Sequence, residues 1–398
     1  MSKRRPESSS PSPPPQEAPT NGSSTLSKRA RTHNDLVVSS HTSSDLVHSS
    51  SSRTSGLMSP IVRLDGHWAE VLDIAFDPSG QHIATASKDK SICLWNVYGD
   101  CQNFGVLRGP TSKSVPLALK FSSSSYNTNT STPSPVLIAS FSCGSLVTYC
   151  VKTGEILRRH RGANGPLNSI DVNNSNNNNI NNTHSTSNNN SSPLILSGGD
   201  DGFVRVWDIE QREPIEEIEL GYPITAVTWS VDGQQVFASG LDNDIHVYDL
   251  RAKKIAYSLR GHSDTPTSLS LSPLGSHLLS IGNDSTARIW DVRPFAPTSS
   301  STNPNQNPRL YRTLLGAPAG YEGWLRRGAW DASGSRVVVG GADRTVNVYD
   351  VETSQLLYKL PGHTGTVIAT AFHPSKTEPV VASGGVDRTI YLGELIQA

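Results

Sequence analysis

The sequence predicts an all-β fold: a seven-bladed propeller, each blade a four-stranded sheet, behind a disordered N-terminal tail. Three observations carry this. An Asp-x5-Trp/Tyr pattern recurs: KDKSICLWN ends on Asn96, DDGFVRVWD on Asp208, LDNDIHVYD on Asp249, NDSTARIWD on Asp291 and ADRTVNVYD on Asp350, with weaker copies SCGSLVTYC ending on Cys150 and VDRTIYLGE on Glu394. A Gly-His pair precedes several copies, as Gly66-His67, Gly261-His262 and Gly362-His363, and decays elsewhere to Gly109-Pro110 and Gly162-Ala163. His67 lies 22 residues before Asp89 and Asp89 lies 6 before Trp95, and the same two steps separate His262, Asp284 and Trp290. Finally, residues 57–398 less three polar insertions divide into seven units of about 42 residues.

Composition narrows the rest. Lys+Arg 34 against Asp+Glu 35 gives a net charge of −1, so any basic patch is local and the chain is no polycation. Hydrophobic residues at 35% and charged residues at 17% are low for a compact globule, which sets part of the chain outside any core. Four cysteines, Cys93, Cys101, Cys143 and Cys150, show no CxxC pairing, so neither a disulfide scaffold nor a zinc site is expected. No apolar signal region and no run of about 18 apolar residues occurs, which points to cytosol or nucleus.

Residues 1–56 read as the tail: runs such as SSSPSPPPQEAPTNGSS bury too little to repay ordering. Two basic clusters lie in it, Lys3-Arg4-Arg5 and Lys28, Arg29 and Arg31, readable as a nuclear import signal or as a solvated basic tail. Insertions at 122–135, 173–192 and 298–308 are polar loop expansions, tolerated because loop-closure cost grows only logarithmically with length.

Within a unit, Val71–Phe76 and Ile83–Ala86 carry the β-branched and small apolar residues of buried strands, joined by the turn Asp77-Pro78-Ser79-Gly80. One such sheet cannot cover both its faces, so the units must close as a ring. The period and motifs resemble the WD40 family. That resemblance assigns a buried hydrogen-bonded network to His67, Thr85 or Ser87, Asp89 and Trp95, and by alignment to Asp201, Trp207, Asp242, His262, Asp284, Trp290, Asp343, His363 and Asp387. Repeated Gly-His copies make these residues architectural; no GxxxxGK[ST], HExxH or GxSxG occurs, and no catalytic residue, cofactor or metal is expected. Blade 2 has Cys143 where the Asp belongs, and is expected to be the least stable or to depend on a partner.

The stretches LWNVYGDC (94–101), LDNDIHVYDLR (241–251), WDVRPFAP (290–297) and YKLPGH (358–363) resemble the family of WD-repeat subunits of the U5 small nuclear ribonucleoprotein. The resemblance implies a nuclear, non-enzymatic scaffold in pre-mRNA splicing, bound to the large central U5 protein and other spliceosomal proteins. Two rival readings stand beside it. Trp290-Asp291-Val292-Arg293 fits the WDxR pattern of cullin-type ubiquitin ligase receptors, and a generic WD40 adaptor is the other.

In that topology the a–b and c–d loops, and with them all three insertions, leave one face of the ring. The opposite face, of d–a and b–c loops, offers Trp68, Glu70, Lys88, Tyr321, Trp324 and Arg326 for partner binding. Arg158, Arg159 and Arg161 form the densest basic run of the folded part, readable as an RNA contact or as a charged, solvated edge strand.

Overall fold

In a computed structural model, residues 31–32, 55–126, 134–173, 193–295, 307–320 and 325–395 are described. They form seven antiparallel sheets, six of four strands and one of five, with no helix among the described residues. Blade 1 comprises strands a to d at Val71–Phe76, His82–Ser87, Ser91–Asn96 and Asn103–Arg108. Blades 2 to 6 follow, with strands a at Pro116–Tyr126, Leu167–Asn173, Ile224–Trp229, Pro266–Leu271 and Gly328–Trp330. Blade 7 takes three strands from the C-terminal region, Val367–Phe372, Val380–Gly385 and Thr389–Glu394, and its strand d from Ile61–Asp65. Ile61 pairs with Gly393 and Asp65 with Thr389, so the ring closes on a hydrogen-bonded splice of its two ends.

Each blade grades from buried to exposed along its strand order. Strands b and c are the most buried: His82–Ser87 and Ser91–Asn96 are buried apart from their ends, because neighbouring blades cover both faces. Strand d alternates, Asn103–Arg108 and Pro214–Glu219 burying one position near the end, as an edge strand facing water should. The a–b register slips at the second residue of strand a in six blades, for instance between Val71 and Asp73 and between Val367 and Ala369. The c–d register slips at the Trp or Tyr, as between Leu94 and Trp95 and between Ile289 and Trp290. Such bulges add twist, which lets flat sheets pack radially.

The Asp77 turn forms as the sequence implies: its carboxylate accepts the His82 N–H at 2.9 Å and the Ser79 hydroxyl at 2.6 Å. Gly80 has φ +72°, and any Cβ there would run into the His373 ring of blade 7, so glycine is required twice over.

Residues 127–133 and 174–192 lie in the chain between strands a and b of blades 2 and 3, and 296–306 between strands c and d of blade 5. One detail differs: residues 122–126 and 134–135 are strand, Ser122 pairing with Val136 and Tyr126 with Ser134, so the first insertion starts as an extension of the hairpin. Of the tail's basic residues, Lys3, Arg4, Arg5, Lys28 and Arg29 lie outside the described residues, while Arg31 pairs through its backbone with Arg63 on the outer edge of blade 7.

Leu64, fully buried in the closing strand, should lose about 2–5 kcal/mol on Leu64→Ala, whereas Ile61→Ala, at a side chain 51% exposed three residues away, should change stability by less than about 0.5 kcal/mol; urea unfolding of the two variants measures the contrast.

Candidate interaction surface

Three blades carry the complete His-Asp network. In blade 1, His67 Nδ1 meets Asp89 at 2.9 Å, its Nε2 meets the Thr85 hydroxyl at 2.8 Å, and Trp95 Nε1 donates to that hydroxyl at 3.0 Å. Thr85 therefore fills the role left open between it and Ser87; the Ser87 hydroxyl instead donates to the Ala69 carbonyl and accepts the Asp89 N–H. Blade 5 repeats the chain with His262, Asp284 (2.9 Å), Ser280 (2.7 Å) and Trp290 (2.8 Å). In blade 7 His363 bonds Asp387 and Ser383, but Gly393 stands at the Trp position, and Tyr391, four residues after the Asp, donates to the Gly362 carbonyl at 3.0 Å. In blade 2 Tyr149 takes the Trp position and donates to the Arg108 carbonyl at 2.9 Å.

Where the histidine is absent, strand c supplies a replacement. Four residues after the Asp, Arg205 pairs with Asp201 at 2.8 Å in blade 3, and His246 pairs with Asp242 at 2.6 Å in blade 4. Trp207 keeps its bond to Ser197 at 2.8 Å. In blade 6 Asp343 is held from strand d by Lys359 at 2.7 Å. In blade 2, Cys143 is exposed and accepts from the Ser114 hydroxyl at 3.2 Å. The turn aspartate is thus retained in the other six blades with a changing partner, and it also accepts loop backbone donors, such as Trp68 N–H on Asp89 at 3.0 Å and Thr364 N–H on Asp387 at 2.8 Å.

The innermost strands are joined by a second repeated device. A side chain near the start of strand a accepts a backbone N–H of the next blade: Asp73 from Leu119 at 2.7 Å, Ser169 from Val227 at 3.2 Å and Ser268 from Gly328 at 3.4 Å. This answers the unpaired edge that a strand a would otherwise present. Blade 6 places Arg327 at the corresponding position. Its guanidinium crosses the central channel, 3.4 Å from Asp73 of blade 1, and donates to the carbonyls of Leu117 (3.1 Å, blade 2) and Asn168 (2.7 Å, blade 3). Its own carbonyl accepts the Thr370 hydroxyl of blade 7 at 2.8 Å. Burial raises the Asp73 carboxyl above its ordinary value, against the opposing pull of Arg327 and the Leu119 N–H.

Arg326 corrects an expectation. It was placed among the partner-binding residues of a loop, but it is 1% exposed and donates to the carbonyls of Gly282, Ala317, Pro318 and Gly340, tying blade 5 to blade 6. The long connection after Leu315 leaves that seam without a full strand ladder, since strand a of blade 6 is only Gly328–Trp330, and a guanidinium fork satisfies the stranded carbonyls.

The other surface candidates separate. Trp68 is 68% exposed, and beside it Lys88 Nζ meets Glu70 at 3.3 Å, so these three stand together at the blade 7–blade 1 seam. Tyr321 and Trp324 lie outside the described residues. Arg159 and Arg161 are exposed and Arg158 half-buried around the outer strand Ile156–His160 of blade 2, with buried His160 between them. On the insertion face, Arg293 of the WDxR sequence folds back on Asp291 at 2.5–3.1 Å.

The comparisons with known proteins agree with this geometry. The WD domain, G-beta repeat family matches residues 58–96, 154–208, 217–249, 253–291, 314–350 and 354–392, and the unmatched 97–153 contains the Cys143 turn. Pre-mRNA-splicing factor cwf17 of Schizosaccharomyces pombe is 36% identical over 343 residues, 86% of this chain and 90% of the relative. The U5 small nuclear ribonucleoprotein 40 kDa protein of Homo sapiens is 36% identical over 86% of both chains. The protein of that name in Dictyostelium discoideum is 35% identical over 94% of this chain and 96% of its own length.

Removing the Arg327 guanidinium strands Asp73: Arg327→Leu should cost about 3–5 kcal/mol and the double variant with Asp73→Asn should recover part of it, as a double-mutant cycle in urea will read. For His67, burial pulls the imidazole down but the Asp89 bond and Cys93 outweigh it and raise it to about 9, so this pair's stabilisation is complete below 6.5 and fades as pH rises through 9. Asp387, resisted by burial but held down chiefly by the His363 bond, falls to about 2, so its contribution fades as pH drops from 3.8 toward 2. Burial lowers His160 to about 4, which adds destabilisation as pH drops from 6.5 to 4. Thermal melting should therefore peak near neutral pH, and Asp89→Asn should flatten the limb above pH 6.5.

Proposed function

Since this chain belongs to the WD domain, G-beta repeat family, and within it to the group of the U5 small nuclear ribonucleoprotein 40 kDa protein and cwf17, we propose that it is a non-catalytic scaffold of the U5 particle in pre-mRNA splicing. The observation that carries this is 36% identity over 343 residues, 90% and 86% of the two relatives' lengths, not over a single blade motif.

The chemistry of the ring supports the non-enzymatic part of the reading. His67, His262 and His363 each spend both ring nitrogens on blade hydrogen bonds and are almost wholly buried, so the His, Asp and Ser groups that would suggest hydrolysis serve packing. The assigned place of work is the nucleus, and the assigned partner is the large central U5 protein, with other spliceosomal proteins around it. Trp68, Glu70 and Lys88 are the assigned contact on the face free of insertions. Trp68 is the aromatic anchor type that dominates binding hot spots, and its side chain projects from a loop whose backbone is pinned to Asp89. The ligase-receptor reading gains nothing from Arg293, whose guanidinium is committed to its own Asp291.

Mass spectrometry of proteins co-purifying with the tagged chain from nuclear extract, with and without nuclease, tests this. The large central U5 protein should appear in both samples and fall several-fold with Trp68→Ala at unchanged melting temperature. A cullin adaptor recovered without splicing proteins would overturn the assignment.

A further inference from the structure

The b–c turns set one residue of every blade, the one after the network position, in the left-handed region on the insertion-free face. From blade 1 to blade 7 these are Lys90, Gly144, Gly202, Asn243, Ser285, Arg344 and Arg388, with φ between +63° and +82°. Glycine adopts this conformation without steric cost and asparagine with little; a long side chain adopts it only against crowding of its Cβ. Ser285 puts its side chain to intramolecular use, its hydroxyl accepting the Ala319 N–H at 2.9 Å. Lys90, Arg344 and Arg388 are exposed and make no ion pair or side-chain hydrogen bond among the described residues.

These three cations fall on blades 6, 7 and 1, which are consecutive around the ring, strand a of blade 7 packing against strand a of blades 6 and 1. The turns of blades 3 to 5 on the same face carry carboxylates instead, Asp200, Asp242 and Asp264 being exposed, while Asp201, Asp242 and Asp244 pair with Arg205, His246 and Arg260. A face split in this way discriminates between partners. A nucleic acid backbone crossing it would gain over the cations and lose over the aspartates, whereas a protein can set acidic groups over one half only.

We propose that the arc of Lys90, Arg344 and Arg388 is a docking surface for an acidic polypeptide segment of a protein partner. The inference holds whatever assembly the chain serves, because it rests on the turn conformation and the charge layout alone. The backbone strain retained at three adjacent turns, where two other blades use glycine, marks side chains kept for contact and not for folding.

The test uses the full chain, a fluorescently labelled short peptide of alternating Glu and Ser, and an oligouridylate of equal charge, at low ionic strength. The wild type should bind the peptide more tightly than the RNA. The triple variant Lys90→Gly, Arg344→Gly, Arg388→Gly should lose at least about tenfold in peptide affinity while melting at the same or a higher temperature, since glycine relieves the left-handed strain. Lys253→Gly, the same change at a left-handed lysine on the insertion face (φ +50°), should leave binding unaltered. Equal peptide affinity in wild type and triple variant, or no binding by the wild type, would overturn the proposal. Tighter RNA binding that disappears in the triple variant would assign the arc to RNA instead.

Discussion

Everything in this molecule depends on closing a ring of sheets, because no blade has a core of its own. The apolar clusters lie between blades as much as within them: Val71 and Ile74 of blade 1 pack with Ala369, Val380 and Leu392 of blade 7 and with Leu64 of the closing strand. Such a ring is complete only when Ile61–Asp65, separated from its partner strand by more than three hundred residues, takes the outer place in blade 7. The long-range pairing carries a high entropic cost in folding, and it is offset by making every other interface possible at once.

Polar groups finish what apolar packing begins, at two radii. Near the insertion-free face, the turn aspartates of six blades fix the b–c and d–a loops, and their partners vary among histidine, arginine and lysine. At the axis, Asp73, Ser169 and Ser268 each hand a carboxylate or hydroxyl to the next blade, and Arg327 reaches three blades across the channel. Fully satisfied, such groups make the order and register of the blades specific; the same groups left unpaired would be among the costliest features of the fold.

The seven blades are legible in the sequence because hairpin geometry fixes the distance from turn aspartate to indole, and Thr85 must lie opposite strand c at a set offset from Trp95. The choice between Thr85 and Ser87 was not legible: residues two apart in a strand point to one face, and only the register, Thr85 opposite Cys93, separates them. Arg326 and Arg327 were harder still. A pair of arginines after a loop reads as surface, yet one is folded into the blade 5–blade 6 seam and the other spans the axis; the available signal was that every other blade puts uncharged or acidic residues at those two positions, as Leu72-Asp73 and Asn168-Ser169 do. The cations at the left-handed turns could be read off the repeat column by column, but their meaning rests on a backbone conformation that composition does not reveal.

The decisive measurement is urea unfolding of two truncated chains, one beginning at residue 55 and one at residue 66, followed by tryptophan fluorescence and by hydrogen exchange across all seven blades. If ring closure by the strand at 61–65 is what the structure depends on, the first should unfold in one sharp transition with protection in every blade, and the second should lose that cooperativity throughout, blades 3 to 5 included. Equal midpoints and equal protection in the two chains, or a loss confined to blade 7, would contradict it.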